Sequence, residues 1–517
     1  MMTQRRSKIT TEARRHGGVS GAPRYACDEK KAFSFESPSD PVSAVIPPCL
    51  RASVVTSSSR RHGTILVMVL WGMIVLTGII LVFGRTVQVE AISSNNRVST
   101  IQTAAILRGA EQYVLSLVEN AAGDPTYVVD ASSEAMAVGT NPVDGRPMGY
   151  FWIIKPDTGN PELTAFGLVD ESSKINLNNA SRETLMKLPK MTEDIADSII
   201  DWRDTDENVT NQGAESSYYS NLPQGYNAKN DRFEAIEELR LVLQPRLKDA
   251  RLVDEFLYGY DLNHDGVMSA RETSAGGMSS AFSSATNDGR GIAPFVTVYS
   301  VEANTNTGRT DVNGDSNQLR DAMRKIFQRT RADQIVQLAT TGPAPPGGRR
   351  FANVFDFCGK GTMSPQEVRQ AYDKLHANQG RTATGRVNLN TAPREVLLAM
   401  PGLEEQDVDK LLSARNAETG TSLAWVYEAI GPQKAAAIGS LLTNKSYQYS
   451  ADIVAMSSNG KSFKRIRIIA DARRTPARIV YRKDLSDLGW PLDESIRYSL
   501  QQGGVLDTPF GSGGSAF

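Results

Sequence analysis

Asp261, Asn263 and Asp265 stand at alternate positions in the run DLNHDGVMSARE, residues 261–272. Gly266 follows directly, Val267 and Ser269 come next, and Glu272 closes the run. That is the ligand order of a twelve-residue calcium loop: side-chain oxygens at 1, 3 and 5, a turn glycine at 6, a backbone carbonyl at 7, a water-mediated contact at 9 and a bidentate glutamate at 12. Three carboxylates around one hard cation suit Ca²⁺ better than Zn²⁺. A helix over 247–258 fits in front of the loop, while Gly276 and Gly277 curtail one behind it. The expectation is therefore a calcium-stabilised loop and not a paired sensor, with a solvated acidic turn as the alternative. A second acid-rich stretch holds Asp204, Asp206 and Glu215 beside Gly213. It has little apolar content, so a cation that neutralises the repulsion is one way to hold it together. Spacing does not say which of its acids coordinate, and exposed acids in a polar loop are the alternative.

Other chemistry is poorly supplied. No G-x-x-x-x-G-K-[ST] loop, G-x-S-x-G elbow or H-E-x-x-H motif occurs, and Gly359-Lys-Gly-Thr has the wrong order for a phosphate loop. Of four histidines, His16 and His62 lie in the first 63 residues, as do Cys27 and Cys49, which leaves His264, His376 and Cys358 for the rest. Nucleophilic and zinc chemistry have too few residues, and no enzyme is expected. With Cys358 alone beyond residue 63, that part of the chain has no internal disulfide to form.

These residues sit in a chain of 517, enough for about three structural units. Its 57 Lys/Arg and 58 Asp/Glu nearly balance, yet residues 1–63 carry a net charge of +6 and the remainder −7. A basic head on an acidic body reads as a targeting segment followed by a working part. Between them, residues 64–84 (TILVMVLWGMIVLTGIILVFG) contain no charge. At about 1.5 Å per helical residue, such a run crosses a bilayer core of about 30 Å. Arg60, Arg61 and His62 precede it and only Arg85 follows closely, so the positive-inside bias puts residue 63 on the cytoplasmic side and the large C-terminal part outside, in the periplasm if the cell is Gram-negative. The helical pattern continues to about Ala122, with Val98, Ile101, Ala105, Tyr113, Val114 and Leu117 mostly three or four apart.

Further along, Lys174-INLNNASRETLMKLPKM and Arg386-VNLNTAPREVLLAMPGL repeat one pattern. Each reads as a short strand, a capping cluster, a helix and a Pro turn into a second helix, over 193–202 and 405–415. Thr310-DVNGDSNQLRDAMRKIF is a weaker cousin. Helix-hairpin-helix units of this kind can hold DNA phosphates on backbone N–H groups at a Gly-rich turn. Here the first turn, Leu188–Met191, lacks glycine, the second has only Gly402, and acids follow both. Structural packing is the preferred reading, and DNA is not an expected partner. A membrane-anchored helix-hairpin-helix protein for DNA binding or uptake is the alternative.

A basic stretch ending at Gly63 and followed by an apolar helix resembles a type IV prepilin-like leader, which implies cutting by prepilin peptidase between Gly63 and Thr64. Met68 stands where most such proteins carry Glu, a departure that resembles the K-type minor pseudopilin of type II secretion. GLVDESSKINLN (167–178), the D-W-R-D-x-D run at 201–206, G-A-E-x-x-Y-Y at 213–219 and E-E-L-R-x-V at 237–242 are similar to the signature of that family. The resemblance covers most of 60–245 and 380–490, and the middle, about 246–380, reads as an enlarged insertion. It implies calcium in the inserted helical domain around 204–215. It also implies I- and J-type minor pseudopilins and the secretion machinery as partners, an inner-membrane anchor, and a place at the tip of a short periplasmic pseudopilus.

Residues 447–483 alternate apolar and polar on either side of Ser458-Asn459-Gly460, a hairpin signal, with Lys461, Lys464, Arg465 and Arg467 crowding the second strand. That basic face is expected to meet an acidic partner or solvent. Strands at 149–155 and 163–169 fit the same antiparallel sheet. The expected fold is α+β: a pilin-like N-terminal long helix, transmembrane in its first half, packed on a small antiparallel sheet. A large, mostly α-helical domain with helix-hairpin-helix-like repeats is inserted into it. The expected divisions are a cleaved basic leader (1–63), helix and stem (64–122), first sheet part (123–172), inserted domain (173–385), second repeat (386–445), C-terminal strands (446–490) and a tail (491–517).

Overall fold

A computed structural model describes residues 62–125, 135–142, 144–156, 164–268, 272, 289–304, 306–342, 350–377, 380–417 and 421–506. The chain divides into two units, Met1–Ile79 and Ile80–Phe517. In the first, the described residues belong to helix α1 (His62–Ala121), and every large apolar side chain from Ile65 to Ile79 is exposed. The helix contains one stretch long and apolar enough to cross a membrane.

In the second unit, α1 buries Ile106, Leu107, Ala110, Val114, Val118 and Ala121, a stripe at spacings of one to four residues. Of the expected set, Val114 is in this core, Leu117 packs against it and Tyr113 stands edge-on to Phe151, whereas Val98 and Ile101 are exposed. The stripe lies on a seven-stranded antiparallel sheet made of β1 (Met136–Thr140), β2 (Pro147–Pro156), β3 (Thr164–Phe166), β4 (Val169–Asp170), β5 (Gln448–Ser457), β6 (Phe463–Asp471) and β7 (Arg478–Asp484). The main path runs β1-β2-β5-β6-β7, with β3 on β2 and β4 on β5. Strand β5 pairs both with β2, from early in the chain, and with β6, so the segment between residues 170 and 448 is an insertion between strands of one sheet. Alternation assigns the faces: Phe151 and Ile153 meet α1, whereas Tyr150, Trp152 and Ile154 meet Val454, Met456 and Leu500 on the other side. That second face is covered by the helix Glu494–Gln501, which lies inside the expected tail, and by Trp490.

The inserted part consists of short helices around one large core. Its plan is a unit used three times, each closed by a two-residue parallel pair: 175–176 with 296–297, 310–311 with 375–376, and 387–388 with 442–443. In the first unit Asn176 Oδ1 accepts from Asn178 N at 2.9 Å, in the third Asn388 Oδ1 accepts from Asn390 N at 3.0 Å, and in the middle one Asp311 Oδ1 accepts from Asn313 N at 2.9 Å. Arg182 pairs with Asp197 as Arg394 pairs with Asp409. Arg203 donates to the carbonyls of Leu177 and Ala180 as Arg415 does to those of Leu389 and Ala392. Asn178 exchanges hydrogen bonds with the backbone of Phe233, and Asn313 does the same with Phe351. The weak cousin at Thr310 shares the parallel pair and the turn bond with the other two. The middle unit begins and ends at a small antiparallel ribbon, 301–303 on 382–384, which is how a chain accommodates an insertion with little disturbance of its surroundings.

Several junctions join insert and sheet, among them Glu237 with Tyr481 and Lys483 of β7. Asp170, on β4, accepts from Asn388 Nδ2 at 2.8 Å, Thr391 Oγ1 at 2.6 Å, Ser446 Oγ at 2.5 Å and Ser172 N at 2.7 Å. Four donors satisfy a buried carboxylate that would otherwise be costly to desolvate. A further junction involves Arg465, on the basic strand face expected to meet an acidic partner or solvent. It is fully buried and bonded to Asp452. The basic cluster is divided: Arg465 and Arg467 face the insert, and charge density along the strand does not reveal the inward partner.

Candidate cation site

Helix Glu193–Arg203 places Asp197 and Asp201 four residues apart on one buried face. Asp197 is satisfied by Arg182 Nε at 2.6 Å and by Gln212 N. Asp201 accepts the N–H of Thr210 on both oxygens, at 3.1 and 3.2 Å. The helix ends at Asp204, whose extended backbone turns the chain into the acid-rich loop, and the loop returns to Glu215. One carboxylate oxygen from each of Asp201, Asp204 and Glu215 lies within 4.8 Å of the other two. Among the described residues this is the one such group of three.

Glu215 is 0% exposed, and neither of its carboxylate oxygens has a hydrogen-bond partner; Asp204 Oδ1 is buried and unpartnered too. A buried, unpaired carboxylate costs several kcal/mol (roughly) unless it is protonated or meets a cation. Burial first, then the charges of Asp201, Asp204, Glu207 and Asp206, pushes Glu215 up to about 7. Burial also raises Asp201 and Asp204 above the usual carboxylate range. Trp202, the residue after Asp201, is edge-on to Tyr219 at 5.2 Å, and Tyr226 is stacked on Tyr219 at 5.3 Å. Oxygen-only donors in a partly apolar surround fit a hard divalent cation such as Ca²⁺ and lack the nitrogen or sulfur that zinc favours. A side chain at Gly213 would meet Asp201 Oδ2 at 2.0 Å, so the loop closes over the cluster only with glycine there.

The acid-rich stretch read from the sequence held Asp204, Asp206 and Glu215 without saying which of them coordinate, and Asp204 and Glu215 are in the group of three. Asp206 turns away, its Oδ1 accepting from Asn208 N at 2.8 Å and Nδ2 at 2.6 Å. Asp201 takes that place. The signal that could have found it is helical: Asp197 and Asp201 lie one turn apart at the end of a helix whose next residues are acids.

The loop at 261–272 is arranged differently. Its incoming helix is Ala250–Tyr258. Asp261 accepts from Asp265 N at 3.1 Å and Gly266 N at 2.8 Å, Asn263 Oδ1 accepts from Asp265 N at 2.9 Å, and Asp265 Oδ1 accepts from Val267 N at 2.7 Å. Glu272 Oε1 reaches back to Leu262 N at 3.1 Å, and Ser269 lies outside the described residues. The acids therefore fold the loop around themselves, and the three carboxylates are not drawn as close as those of Asp201, Asp204 and Glu215. Burial with the neighbouring carboxylates pushes Asp261 up to about 7, and burial pushes Asp265 up to about 6. Gly266 has φ +81°, and a side chain there would strike Pro156.

The first Asn-rich turn keeps its lysine inside. Lys190, in the first turn, is turned inward, its Nζ donating to Glu255 O at 2.8 Å with the side chain 2% exposed. Thr64 is exposed on α1.

Residues 168–252 match the family described as type II secretion system (T2SS), protein K. No curated protein sequence matches the chain. Among solved structures, the chain is similar to one in the GspK-GspI-GspJ complex from the enterotoxigenic Escherichia coli type 2 secretion system, at 13% identity, over 74% of this chain and 95% of that chain, with a TM-score of 0.30. The acids Asp201, Asp204 and Glu215 and the first Asn-rich helix pair fall inside the matched segment, and residues 168–252 are thus similar to protein K of the type II secretion system.

Proposed function

We propose that this chain is a K-type minor pseudopilin of a type II secretion system, acting through assembly and not catalysis. The observation that carries this reading is the protein K match at 168–252 on a chain whose N-terminal helix is long and apolar enough to cross a membrane. In this reading prepilin peptidase cuts between Gly63 and Thr64, and α1 holds the subunit in the inner membrane with its body in the periplasm. The subunit joins I- and J-type minor pseudopilins at the pseudopilus tip, where the bulky insert obstructs the addition of a further subunit. Met68 fits a terminal place: a carboxylate in lipid is costly without a partner, and a tip subunit has none ahead of it.

Calcium is part of the proposal. Asp201, Asp204 and Glu215 would hold one ion, and Asp261, Asn263, Asp265, the Val267 carbonyl, Ser269 and Glu272 are the candidate ligands of another. Bound Ca²⁺ would supply positive charge that cancels carboxylate repulsion and ties loop to helix. The test is the N-terminal sequence and mass of protein purified from membranes of cells with and without prepilin peptidase. A chain beginning at Thr64 only when the peptidase is present is expected. An uncut chain, or a cut beyond Gly84, overturns the reading.

A further inference from the structure

Each of the three units opens on a cation: Lys174, Arg309 and Arg386 stand directly before the first strand of the parallel pair. The partner strand carries Thr297, His376 and Thr443 at its second position. In the first and third units these two positions together hold a buried glutamate. Glu171 accepts from Lys174 Nζ at 2.7 Å and from the Thr297 hydroxyl. Glu302 is paired with Arg386 and accepts from the Thr443 hydroxyl at 2.6 Å. The carboxylates arrive by different routes. Glu171 lies three residues before its cation, in a turn closed by Lys174 N on Glu171 O at 3.4 Å. Three residues before Arg386 stands Ala383, and Glu302 reaches in from the neighbouring strand, where it is the direct partner of Ala383.

The middle unit has the cation and the turn, with Arg309 N on Asn306 O at 3.0 Å, but neutral Asn306 stands where the first unit has Glu171. The described strands stop at Ala303 and resume at Thr310, so none lies beside Asn306 to deliver an acid, and Arg309 has no carboxylate partner among the described residues. His376 Nδ1 and Asn306 Oδ1 are both buried without a hydrogen-bond partner, a rare condition in folded proteins. Burial holds the His376 imidazole below its usual range; the charge of Asp311 opposes this and that of Arg309 adds to it, which puts Arg309 within reach of the ring. Arg309 is exposed, and so is Lys374, directly before the second strand; the register of Thr310 with Leu375 sets the two cations side by side, where like charges repel.

We infer that Arg309, Asn306 and His376 take a side-chain carboxylate supplied by a partner protein, with Lys374 taking a second acid of the same segment. The chemistry is read from the other two units, where the groups at these positions hold a glutamate. The third unit adds the route, a carboxylate carried in on a neighbouring extended strand, so the occupant is an acidic, extended segment. Arg309 donates through its guanidinium, His376 through Nδ1 in the tautomer protonated there, and Asn306 through Nδ2 once its amide is turned. Such charge-assisted hydrogen bonds satisfy the two buried atoms and relieve the repulsion between Arg309 and Lys374 in one contact.

The test uses the full chain in detergent and a fluorescein-labelled peptide of alternating glutamate and serine, with binding read by anisotropy. The parent is expected to bind this peptide and not its glutamine–serine counterpart. Arg309→Gln is expected to weaken binding at least about tenfold with the melting temperature unchanged. Lys325→Gln, at an exposed cation elsewhere in the unit, is expected to bind as the parent does. Asn306→Glu rebuilds the Glu171 arrangement within the chain, so it is expected to abolish peptide binding and raise the melting temperature, the site being filled from inside. A parent that does not bind, equal weakening by Lys325→Gln, or undiminished binding in Asn306→Glu overturns the inference. Displacement of the labelled peptide by glutarate as effectively, carboxylate for carboxylate, as by unlabelled peptide overturns the assignment to a protein segment.

Discussion

Asp452 on β5 stands directly opposite Arg467 on β6 and diagonal to Arg465, and it binds both: Arg465 through Nε at 2.9 Å and Nη2 at 2.7 Å, Arg467 through Nη2 at 2.9 Å. The remaining donors of Arg465 reach the carbonyls of Asn263 and His264, each at 2.6 Å, and Arg467 reaches His264 at 2.7 Å. One guanidinium therefore satisfies a carboxylate in the sheet and two carbonyls in the insert, a use of the planar fork that lysine could not copy.

Arg465→Met should accordingly cost more than a surface charge. It leaves Asp452 with one of its three arginine hydrogen bonds and strands the Asn263 carbonyl, while His264 keeps Arg467, and breaking one partner of a buried pair costs about 3–5 kcal/mol. Urea denaturation measures the loss, and hydrogen exchange at 262–268 should quicken more than in the strands of the sheet. A loss below about 1 kcal/mol with unchanged exchange would show that the loop is held by its own turns alone.

Acid should weaken the middle unit through Glu367. Arg331 grips it bidentately, at 2.7 and 2.9 Å, and holds its carboxyl at about 2. A depressed folded value means stability that is present above the ordinary value near 4.5 and lost as pH falls from there toward 2. Glu367→Gln should melt below the parent at pH 6, by about 1 kcal/mol for so partly exposed a pair, and match it near pH 2. Curves that stay parallel from pH 6 to pH 2 would remove the carboxylate from the account.

Cys358 is fully buried in the core of the insert, and burial pushes its thiol well above the ordinary range. In the chain beginning at Thr64 it should resist a thiol reagent in the native state and react once denaturant is added. Fast labelling of the native form would mean that the helix Val354–Lys360 opens readily.

The parts legible in the sequence were those where one local rule acts alone. The uncharged run 64–84 and the Asn-Gly hairpin belong here, and so do the two Asn-rich units, whose second helices were expected at 193–202 and 405–415 and are found at Glu193–Arg203 and Glu405–Ala417. Misreadings occurred where a partner distant in sequence decides the outcome. Arg465 looks like surface charge until Asp452 and the carbonyl of Asn263, 202 residues away, are in place. Along α1 the stripe that packs is chosen by the sheet, so Ile101 is as apolar as Ile106 yet 70% exposed against 4%. At the candidate site, Asp201 was hidden inside a helix pattern, and Asp206 looked eligible because spacing carries no direction for a side chain.

Gly213 gives the most direct test of whether the acid cluster holds an ion in solution. Any side chain there meets Asp201 Oδ2 at 2.0 Å and the carbonyl of Thr210 at 2.9 Å. Gly213→Ala must push either the carboxylate or the loop aside. Calcium raises the melting temperature of a protein that binds it only when folded, by an amount set by concentration over Kd. The parent should melt higher in calcium than in chelator, with proteolysis within 204–216 appearing only in chelator. Gly213→Ala should lose most of that difference while its melting temperature in chelator stays near the parent value, because the empty loop can relax around one methyl group. Equal sensitivity to calcium in parent and variant would show that Asp201, Asp204 and Glu215 are not where the ion acts. The loop at 261–272, with Gly266→Ala as its own probe against Pro156, would then be the remaining place for it.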